Sequence, residues 1–206
     1  HAATCASRVY NYAIKMEHTH QNPWAKIERY STPQRKVVWQ HSDVIRFLDK
    51  AYSDYEYRNV GLIVQMAYEW CQRLGDMRTL QWENIDLATR VLTLEQSKRR
   101  ADVSLPISDE LVTMLNEQRK DFGFQEYVVP HPNPTMGKYE PYAMERLSKV
   151  GRRVMRLAGL PEELRLMDLR RTGVTQMIDS GVPMGQLMSV TGHNNVSSVK
   201  PYMKHT

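Results

Sequence analysis

The apolar positions of this chain repeat with a helical period over most of its length. In several segments hydrophobic side chains recur every three or four residues, which puts them on one face of a helix. The pattern predicts helices over residues 5–20, 43–53, 58–73, 108–120, 141–158, 165–180 and 183–190, with a shorter one from residue 76 to near residue 82. Residues that favour helix ends flank them, with Ser42 and Ser108 at two starts and Gly75, Gly159 and Gly181 at three ends.

Two short runs carry a different signal and predict β-strands. Residues 91–94 and 103–107 are rich in Val, Leu and Ile, and the polar turn 97–102 lies between them. Two such runs joined by a short polar turn are typical of a hairpin. The predicted class is therefore mainly α with a small antiparallel β-sheet (α+β).

A polar stretch separates the N-terminal helix from the rest of the chain. Asn22-Pro23 ends the helical pattern, and no apolar period follows until after Lys36. A lone helix before a linker is more typical of the end of a preceding domain than of a domain itself. We therefore predict the end of one domain at residues 1–21, a linker at 22–36 and a main domain at 37–206. Because the first residue is His1, we expect the chain to be a piece of a longer protein.

The cysteines and the hydropathy of the chain indicate its cellular environment. Cys5 and Cys71 are far apart and unpatterned, so neither a disulfide framework nor a zinc module is expected. A reducing, cytoplasmic environment is the expectation that follows. No apolar run approaches the length of a bilayer span, so we expect no membrane association.

The distribution of charge along the chain is more informative about a partner than the net charge of +5. Residues 141–206 hold 10 Lys and Arg against 5 Asp and Glu, whereas residues 1–140 hold 18 of each kind. All of the basic excess therefore lies in the last third. It indicates either a polyanionic partner such as nucleic acid or a solvated basic face.

The same third of the chain contains residue types that can act on a phosphodiester, namely Arg170, His193 and Tyr202. Cleavage of this bond needs a nucleophile, cations that neutralise the charge on the phosphate oxygens, and an acid for the leaving alkoxide. Tyrosine can form a covalent phosphoester, arginine donates two parallel hydrogen bonds to phosphate, and lysine is a compact acid. We expect no cofactor and no metal, because the histidines that suggest a metal site, His18, His20 and His131, lack the spacing of one.

Five motifs in order resemble the tyrosine recombinase (phage integrase) family over nearly the whole chain. The first is Arg73-Leu74-Gly75-Asp76 with Leu80-Gln81-Trp82 and Ile85-Asp86, and the second is Ser97-Lys98 in the predicted hairpin turn, followed by Val103-Ser104-Leu105-Pro106. The others are Asp168-Leu169-Arg170-Arg171-Thr172, Leu187 through Gly192-His193, and Tyr202. The resemblance also implies that residues 1–21 end a DNA-gripping domain and that residues 37–206 are the catalytic domain.

The resemblance implies a role for each matching residue. Tyr202 would attack the scissile phosphate and become a 3′-phosphotyrosine, and Arg73 and Arg170 would clamp the phosphate oxygens. Lys98 would protonate the 5′-hydroxyl leaving group, and His193 would hydrogen-bond the phosphate or assist proton transfer. Asp76 would orient neighbouring catalytic groups.

Several neighbours compete for these roles. Arg99 and Arg100 are close enough to Lys98 to replace it, and otherwise both are predicted to contact DNA. Arg171 cannot share a helix face with Arg170, so a structural or DNA-backbone contact is predicted for it. Among the 11 tyrosines, Tyr139 and Tyr142 are weak rivals of Tyr202 because they lie far from any matching motif.

One position departs from the family pattern, which usually has histidine three residues before the second arginine. Here that residue is Met167. A thioether is a weak acceptor and passes no proton at neutral pH, so slower chemistry is predicted.

The favoured function is site-specific DNA recombination on double-stranded DNA, by a protein that is monomeric alone and forms a homo-oligomer, a tetramer, on DNA. A second hypothesis is a catalytically impaired DNA-binding relative, and a third is a type IB topoisomerase or telomere resolvase. Relatives usually continue beyond the tyrosine in a segment that docks on a neighbouring protomer, and we expect such a segment to be missing here.

Overall fold

The computed structural model describes residues 2–27, 35–97 and 100–203. The chain divides into two compact units, His1–Lys36 and Val37–Thr206. The assignment of residues 1–21 and 22–36 to a domain end and a linker stays a prediction.

The first unit contains helix α1, Ala2–Lys15. It ends earlier than the apolar pattern predicted, because the chain turns at Glu17, which has a left-handed φ of 60°. Asn22 then folds back on the helix: its Nδ2 donates to the Asn11 Oδ1 at 2.7 Å and to the Ser7 carbonyl at 3.1 Å. The start of the predicted linker is therefore attached to α1 by hydrogen bonds.

The helices of the second unit follow the predicted order. They are α2 His41–Tyr52, α3 Tyr55–Glu69, α4 Leu74–Arg78, α5 Asp109–Phe122, α6 Met144–Leu157, α7 Leu169–Asp179 and α8 Met184–Thr191. Short 3₁₀ turns cover Trp82–Asn84, Leu166–Asp168, Val196–Ser198 and Lys200–Tyr202. None of the helices in the described ranges is long and apolar enough to cross a membrane.

The sheet has three antiparallel strands in the order β1 (Ile85–Asp86), β2 (Val91–Glu95) and β3 (Asp102–Pro106). In β2 and β3, Leu92 pairs with Leu105 and Leu94 with Val103, so that one face of the hairpin is buried. The predicted class, mainly α with a small antiparallel sheet, is confirmed. Strand β1 was not predicted, because its two residues are too short to show an alternating pattern.

Helix α3 lies at the centre of the core. It packs against α2, α4, α5, α6 and α7. Its apolar side chains are buried on nearly all sides, including Val60, Ile63 and Val64. Burying each such side chain stabilises the fold by about 1.5–3 kcal/mol. The elements that carry the candidate site are therefore held against one rigid helix.

The predicted helix ends are partly correct. Ser108 caps α5 by accepting from the Leu111 N–H, and Gly159 and Gly181 have the left-handed φ expected after a helix. The end at Gly75 was wrong, because α3 stops at Glu69 and Gly75 lies inside α4. The chain leaves the helix at Cys71, whose φ is 52°, an uncommon conformation for a residue other than glycine. Helix α2 is capped by Gln40 rather than by Ser42.

Candidate active site

Arg73 lies where the chain leaves α3 and enters α4. Its backbone is extended, with φ −73° and ψ 141°, and it is the N-cap residue of α4. Its Nη1 donates to the Oε1 of Gln96 at 3.1 Å and lies 3.6 Å from the Oδ2 of Asp76. The break after α3 therefore separates Arg73 from that helix and turns it towards the hairpin.

Asp76 connects Arg73 to the turn that carries Lys98. Its buried carboxylate accepts from the backbone N–H of Ser97 at 3.2 Å and also from the Ser97 hydroxyl. Ser97 directly precedes Lys98, so the carboxylate fixes one end of the lysine turn. Lys98 and Arg99 themselves lie outside the described residues. Arg100 is exposed, and its N–H donates to the Gln96 carbonyl at 2.8 Å.

Arg170, on α7, lies near Arg73. Its Nη2 donates to the Thr191 carbonyl at 2.5 Å, and its Nη1 is buried without a hydrogen-bond partner among the described residues. Burial lowers the pKa of Arg170, and the nearby Arg73 cation lowers it further, while Tyr202 acts in the opposite direction. Arg170 is thus within electrostatic range of Arg73 and hydrogen-bonds the Tyr202 side chain.

His193 and Tyr202 complete the cluster. Helix α8 ends at Gly192, whose left-handed φ of 64° turns the chain so that His193 is buried. The His193 Nδ1 lies 2.6 Å from the Thr191 hydroxyl, and the His193 and Tyr202 ring centroids are 5.9 Å apart. Tyr202 is half-buried in the last 3₁₀ turn and packs on a small apolar cluster formed by Cys71, Val174, Leu187 and Val199.

Arg171 contacts the tyrosine segment. Its Nη1 donates to the Pro201 carbonyl at 2.8 Å, and its Cζ lies 4.9 Å from the Tyr202 ring centroid. Arg170 donates to the Thr191 carbonyl and Arg171 to the Pro201 carbonyl, and both also contact the Tyr202 side chain. Of the two roles predicted for Arg171, the described contacts are of the structural kind.

A buried glutamine that the sequence analysis missed joins the parts of the site. Gln96 is fully buried, and its Nε2 donates to the Gln72 Oε1 at 2.5 Å and to the Thr191 carbonyl at 3.0 Å. Its Oε1 accepts from Arg73, while the same Thr191 carbonyl accepts from Arg170. The two arginines are therefore connected through one amide and one carbonyl. The sequence does contain a signal for a buried Gln96. It directly follows β2 and continues the alternation of the inward residues Leu92 and Leu94.

Two glycines make this packing possible. A Cβ on Gly192 would lie 2.5 Å from the Gln96 Oε1, and a Cβ on Gly173 would lie 2.4 Å from the Cys71 Sγ. Gly173 lets α7, which carries Arg170, approach the end of α3 closely. A signal for this close approach is present in the sequence, since Gly173 interrupts an otherwise helical pattern directly after the second-arginine motif.

The remaining predicted residues lie elsewhere or at the edge of this cluster. Met167 is 68% exposed, so it is not a core residue. Tyr142 is almost fully buried, and burial raises the pKa of its hydroxyl to about 12, so that it ionises less readily than an ordinary tyrosine. Tyr139 packs against Phe122 and Phe124. Among the described residues, no group of three or more His, Cys, Asp or Glu side chains could hold a metal ion.

Known proteins share this arrangement of elements. A lambda integrase dimer bound to a COC′ core site has 19% sequence identity and a TM-score of 0.74, and the match covers 98% of this chain and 57% of that one. A lambda integrase tetramer bound to a Holliday junction gives 17% identity and a TM-score of 0.75, over 98% and 58% of the two chains. At this level of identity the likeness shows the fold.

Sequence comparison points the same way. "Putative integrase/recombinase y4gC" of Sinorhizobium fredii is 26% identical over 148 residues, which cover 69% of this chain and 74% of that protein. The integrase of Salmonella phage P22 is 23% identical over 146 residues, or 68% of this chain and 38% of that integrase. The sequence profile of the phage integrase family matches residues 39–206, most of the chain. The chain therefore belongs to the phage integrase family.

Proposed function

We propose that this protein is a site-specific DNA recombinase that cuts and rejoins DNA through a 3′-phosphotyrosyl intermediate on Tyr202. The observation that carries the proposal is the convergence of Arg73, Arg170, His193 and Tyr202, which come from four separate places in the chain. The chain spans little more than a third of the P22 integrase and 57% of the lambda integrase, so the activity of a whole protein is part of the proposal.

The two arginines are suited to a phosphate. Two guanidinium groups lie close enough for Arg73 to lower the pKa of Arg170, an arrangement that repels itself without an anion. The buried Arg170 Nη1 has no hydrogen-bond partner among the described residues, and an unsatisfied buried donor costs about 1–3 kcal/mol. A phosphate oxygen would accept that hydrogen bond and neutralise both cations.

The proposed cleavage step is a displacement at phosphorus. The Tyr202 oxygen forms a bond to phosphorus, the bond from phosphorus to the 5′ oxygen breaks, and Lys98 donates a proton to that oxygen. The phenolic proton of Tyr202 passes to His193 or to solvent, and in the second case His193 hydrogen-bonds the phosphate. The phosphotyrosine retains the bond energy, so a 5′-hydroxyl of another strand can reverse the step.

The partners follow from the reaction. Strand exchange needs two duplexes and more than one protomer, and lambda integrase has been seen as a dimer and a tetramer on DNA. We infer that this protein assembles as a tetramer on double-stranded DNA, in the cytoplasm of a bacterial or phage-infected cell. Arg99 and Arg100, beside Lys98, are proposed to contact the DNA backbone.

Covalent capture tests the proposal. The protein is incubated with a pool of nicked duplexes that carry a randomised central segment, and adducts that survive denaturant are isolated. We expect an adduct with the unsubstituted protein and with Tyr139→Phe, the matched control, and none with Tyr202→Phe. DNA binding without an adduct would favour the impaired DNA-binding relative. Relaxation of supercoiled DNA without a specific site would favour a topoisomerase.

A further inference from the structure

We propose that Arg171 is a positioning residue that holds Tyr202 in the active site of its own protomer before DNA binds. The idea rests on the proposed function, because it assigns a role in presenting the nucleophile. Arg171 itself does not touch the reacting atoms in this scheme.

Arg171 contacts the tyrosine segment at two points. One guanidinium nitrogen donates to the carbonyl of Pro201, the residue before the nucleophile, at 2.8 Å. The guanidinium carbon also lies 4.9 Å from the centroid of the Tyr202 ring, within the range of a cation–π contact. One contact restrains the backbone and the other restrains the ring, so together they limit both the place and the direction of the phenol.

The backbone of this segment has few hydrogen bonds of its own. Its 3₁₀ turn is three residues long, and short 3₁₀ turns have weak hydrogen-bond geometry. The Tyr202 N–H donates to Val199 and the Met203 N–H to Lys200, both within the turn or next to it. Val199 is fully buried and anchors the segment on the apolar side, whereas Pro201 and Met203 are exposed. Arg171 thus adds a polar contact to the backbone of the tail, while Arg170 hydrogen-bonds the Tyr202 side chain and His193 lies beside its ring.

The position of Arg171 ties the nucleophile to the phosphate clamp. Arg170 and Arg171 are consecutive in α7, yet Arg170 donates to Thr191 in the interior and Arg171 to Pro201 in the tail. One rigid helix therefore sets the distance between the clamp and the tyrosine.

A measurement without DNA tests the holding role directly. Amide hydrogen exchange of residues 199–203 is compared in the unsubstituted protein, Arg171→Met and Arg171→Lys. We expect exchange at Tyr202 and Met203 to rise about tenfold in Arg171→Met, as the loss of a charged hydrogen bond and a cation–π contact implies. Arg171→Lys should fall between, because lysine keeps the charge but not the planar fork. Arg119→Met is the control, since Arg119, on α5, makes a similar contact with the ring of Trp82.

A second measurement separates presentation of the tyrosine from binding of the phosphate. In Tyr202→Phe, hydrogen peroxide is supplied so that the hydroperoxide anion attacks phosphorus and displaces the 5′ oxygen. We expect Arg171→Met to lower adduct formation by Tyr202 about tenfold and to leave peroxide-supported cleavage in the Tyr202→Phe background unchanged.

Equal losses in both reactions would overturn the proposal, since Arg171 would then act on DNA. Unchanged exchange in Arg171→Met would overturn it as well. Absence of any adduct with the unsubstituted protein would refute the proposed function alone, because the exchange measurement still decides whether Arg171 holds the tail.

Discussion

At the scale of single residues, the site combines charged groups with unusual surroundings. Arg170 keeps a buried donor without a described partner, and Cys71 lies in a left-handed conformation beside it. Met167, three residues before Arg170, exposes most of its side chain. These features concern protonation and charge, so single substitutions can probe them.

We predict that Met167→His increases the rate of covalent adduct formation about tenfold. An imidazole at this exposed position could pass a proton or donate to the phosphate, and general acid–base groups commonly contribute this much or more. The measurement is a time course with a nicked substrate. Met136→His, at a nearly fully exposed loop position, is the control. An unchanged or lower rate would mean that the site is built around the methionine.

Cys71 should make the stability of the protein depend on alkaline pH. Burial raises the pKa of its thiol from 9.0 to about 12, although the Arg170 cation acts against this. Between pH 9 and 12 the folded state therefore keeps a proton that the unfolded state loses, and the free energy of unfolding falls as pH rises. The loss should approach about 1.4 kcal/mol per pH unit above 9.

The test compares urea unfolding of the unsubstituted protein and Cys71→Ala at several pH values. The stability advantage of the unsubstituted protein should shrink steadily above pH 9. Cys5→Ala, which removes an exposed thiol in the other unit, should leave the pH profile unchanged. A constant difference between the unsubstituted protein and Cys71→Ala across this range would contradict the predicted shift.

At the scale of elements, the site depends on how closely α7 approaches the end of α3. A Cβ on Gly173 would lie 2.4 Å from the Cys71 Sγ and 2.9 Å from the Tyr68 carbonyl oxygen. Backbone cannot move aside as a flexible side chain can. The close approach of the two helices therefore sets the position of Arg170 relative to Arg73.

We predict that Gly173→Ala destabilises the protein by about 1–3 kcal/mol, as overpacking of a tight interior usually does. It should also lower adduct formation at temperatures where the variant is fully folded, because α7 is displaced. Gly185→Ala is the matched control: it lies in α8 with nothing within 4 Å of the added Cβ. That change should be neutral or stabilise by up to about 1 kcal/mol through helix propensity. A fully folded Gly173→Ala protein with unchanged activity would show that α7 can shift without harm to the site.

The elements themselves were largely predictable, because long helices and the hairpin have a clear period in the sequence. The end of α3 was not, since the break at Cys71 comes from a left-handed residue that no glycine or proline marks. The same limit applies to the site. The motifs indicated Arg73, Arg170 and Tyr202, but the links through Gln96 and Arg171 depend on which side chains meet after folding.

At the scale of the whole molecule, the second unit has its own hydrophobic core, and Trp39 anchors its N-terminal end. Trp39 is almost fully buried near its start, with its N–H donating to the Thr172 hydroxyl at 3.0 Å and its indole to the Arg165 carbonyl at 3.1 Å. Trp39 thereby joins the start of the unit to the helix that carries Arg170. The unit should therefore fold without the residues before it.

We predict that a protein comprising residues 37–206 unfolds within about 5 °C of the full chain. The same protein with Trp39→Ala is the matched variant, since it lacks only the Trp39 side chain. Loss of a buried Trp side chain costs about 3–5 kcal/mol. In a domain of this size that should lower the Tm by about 10–15 °C. Calorimetry of the three proteins measures this, and equal melting of the two shorter ones would contradict the anchoring role of Trp39.

The meeting of three chain segments at Gln96 also limits how this protein can be rebuilt from related parts. A chimera with its crossover between residues 97 and 190 would take Gln96 from one parent and Gly192 from the other. Any side chain contributed at position 192 would collide with the Gln96 amide, which lies 2.5 Å from where its Cβ would be. The hairpin and the end of α8 therefore have to be exchanged together. The junction best suited to domain exchange lies before Val37, outside the second unit.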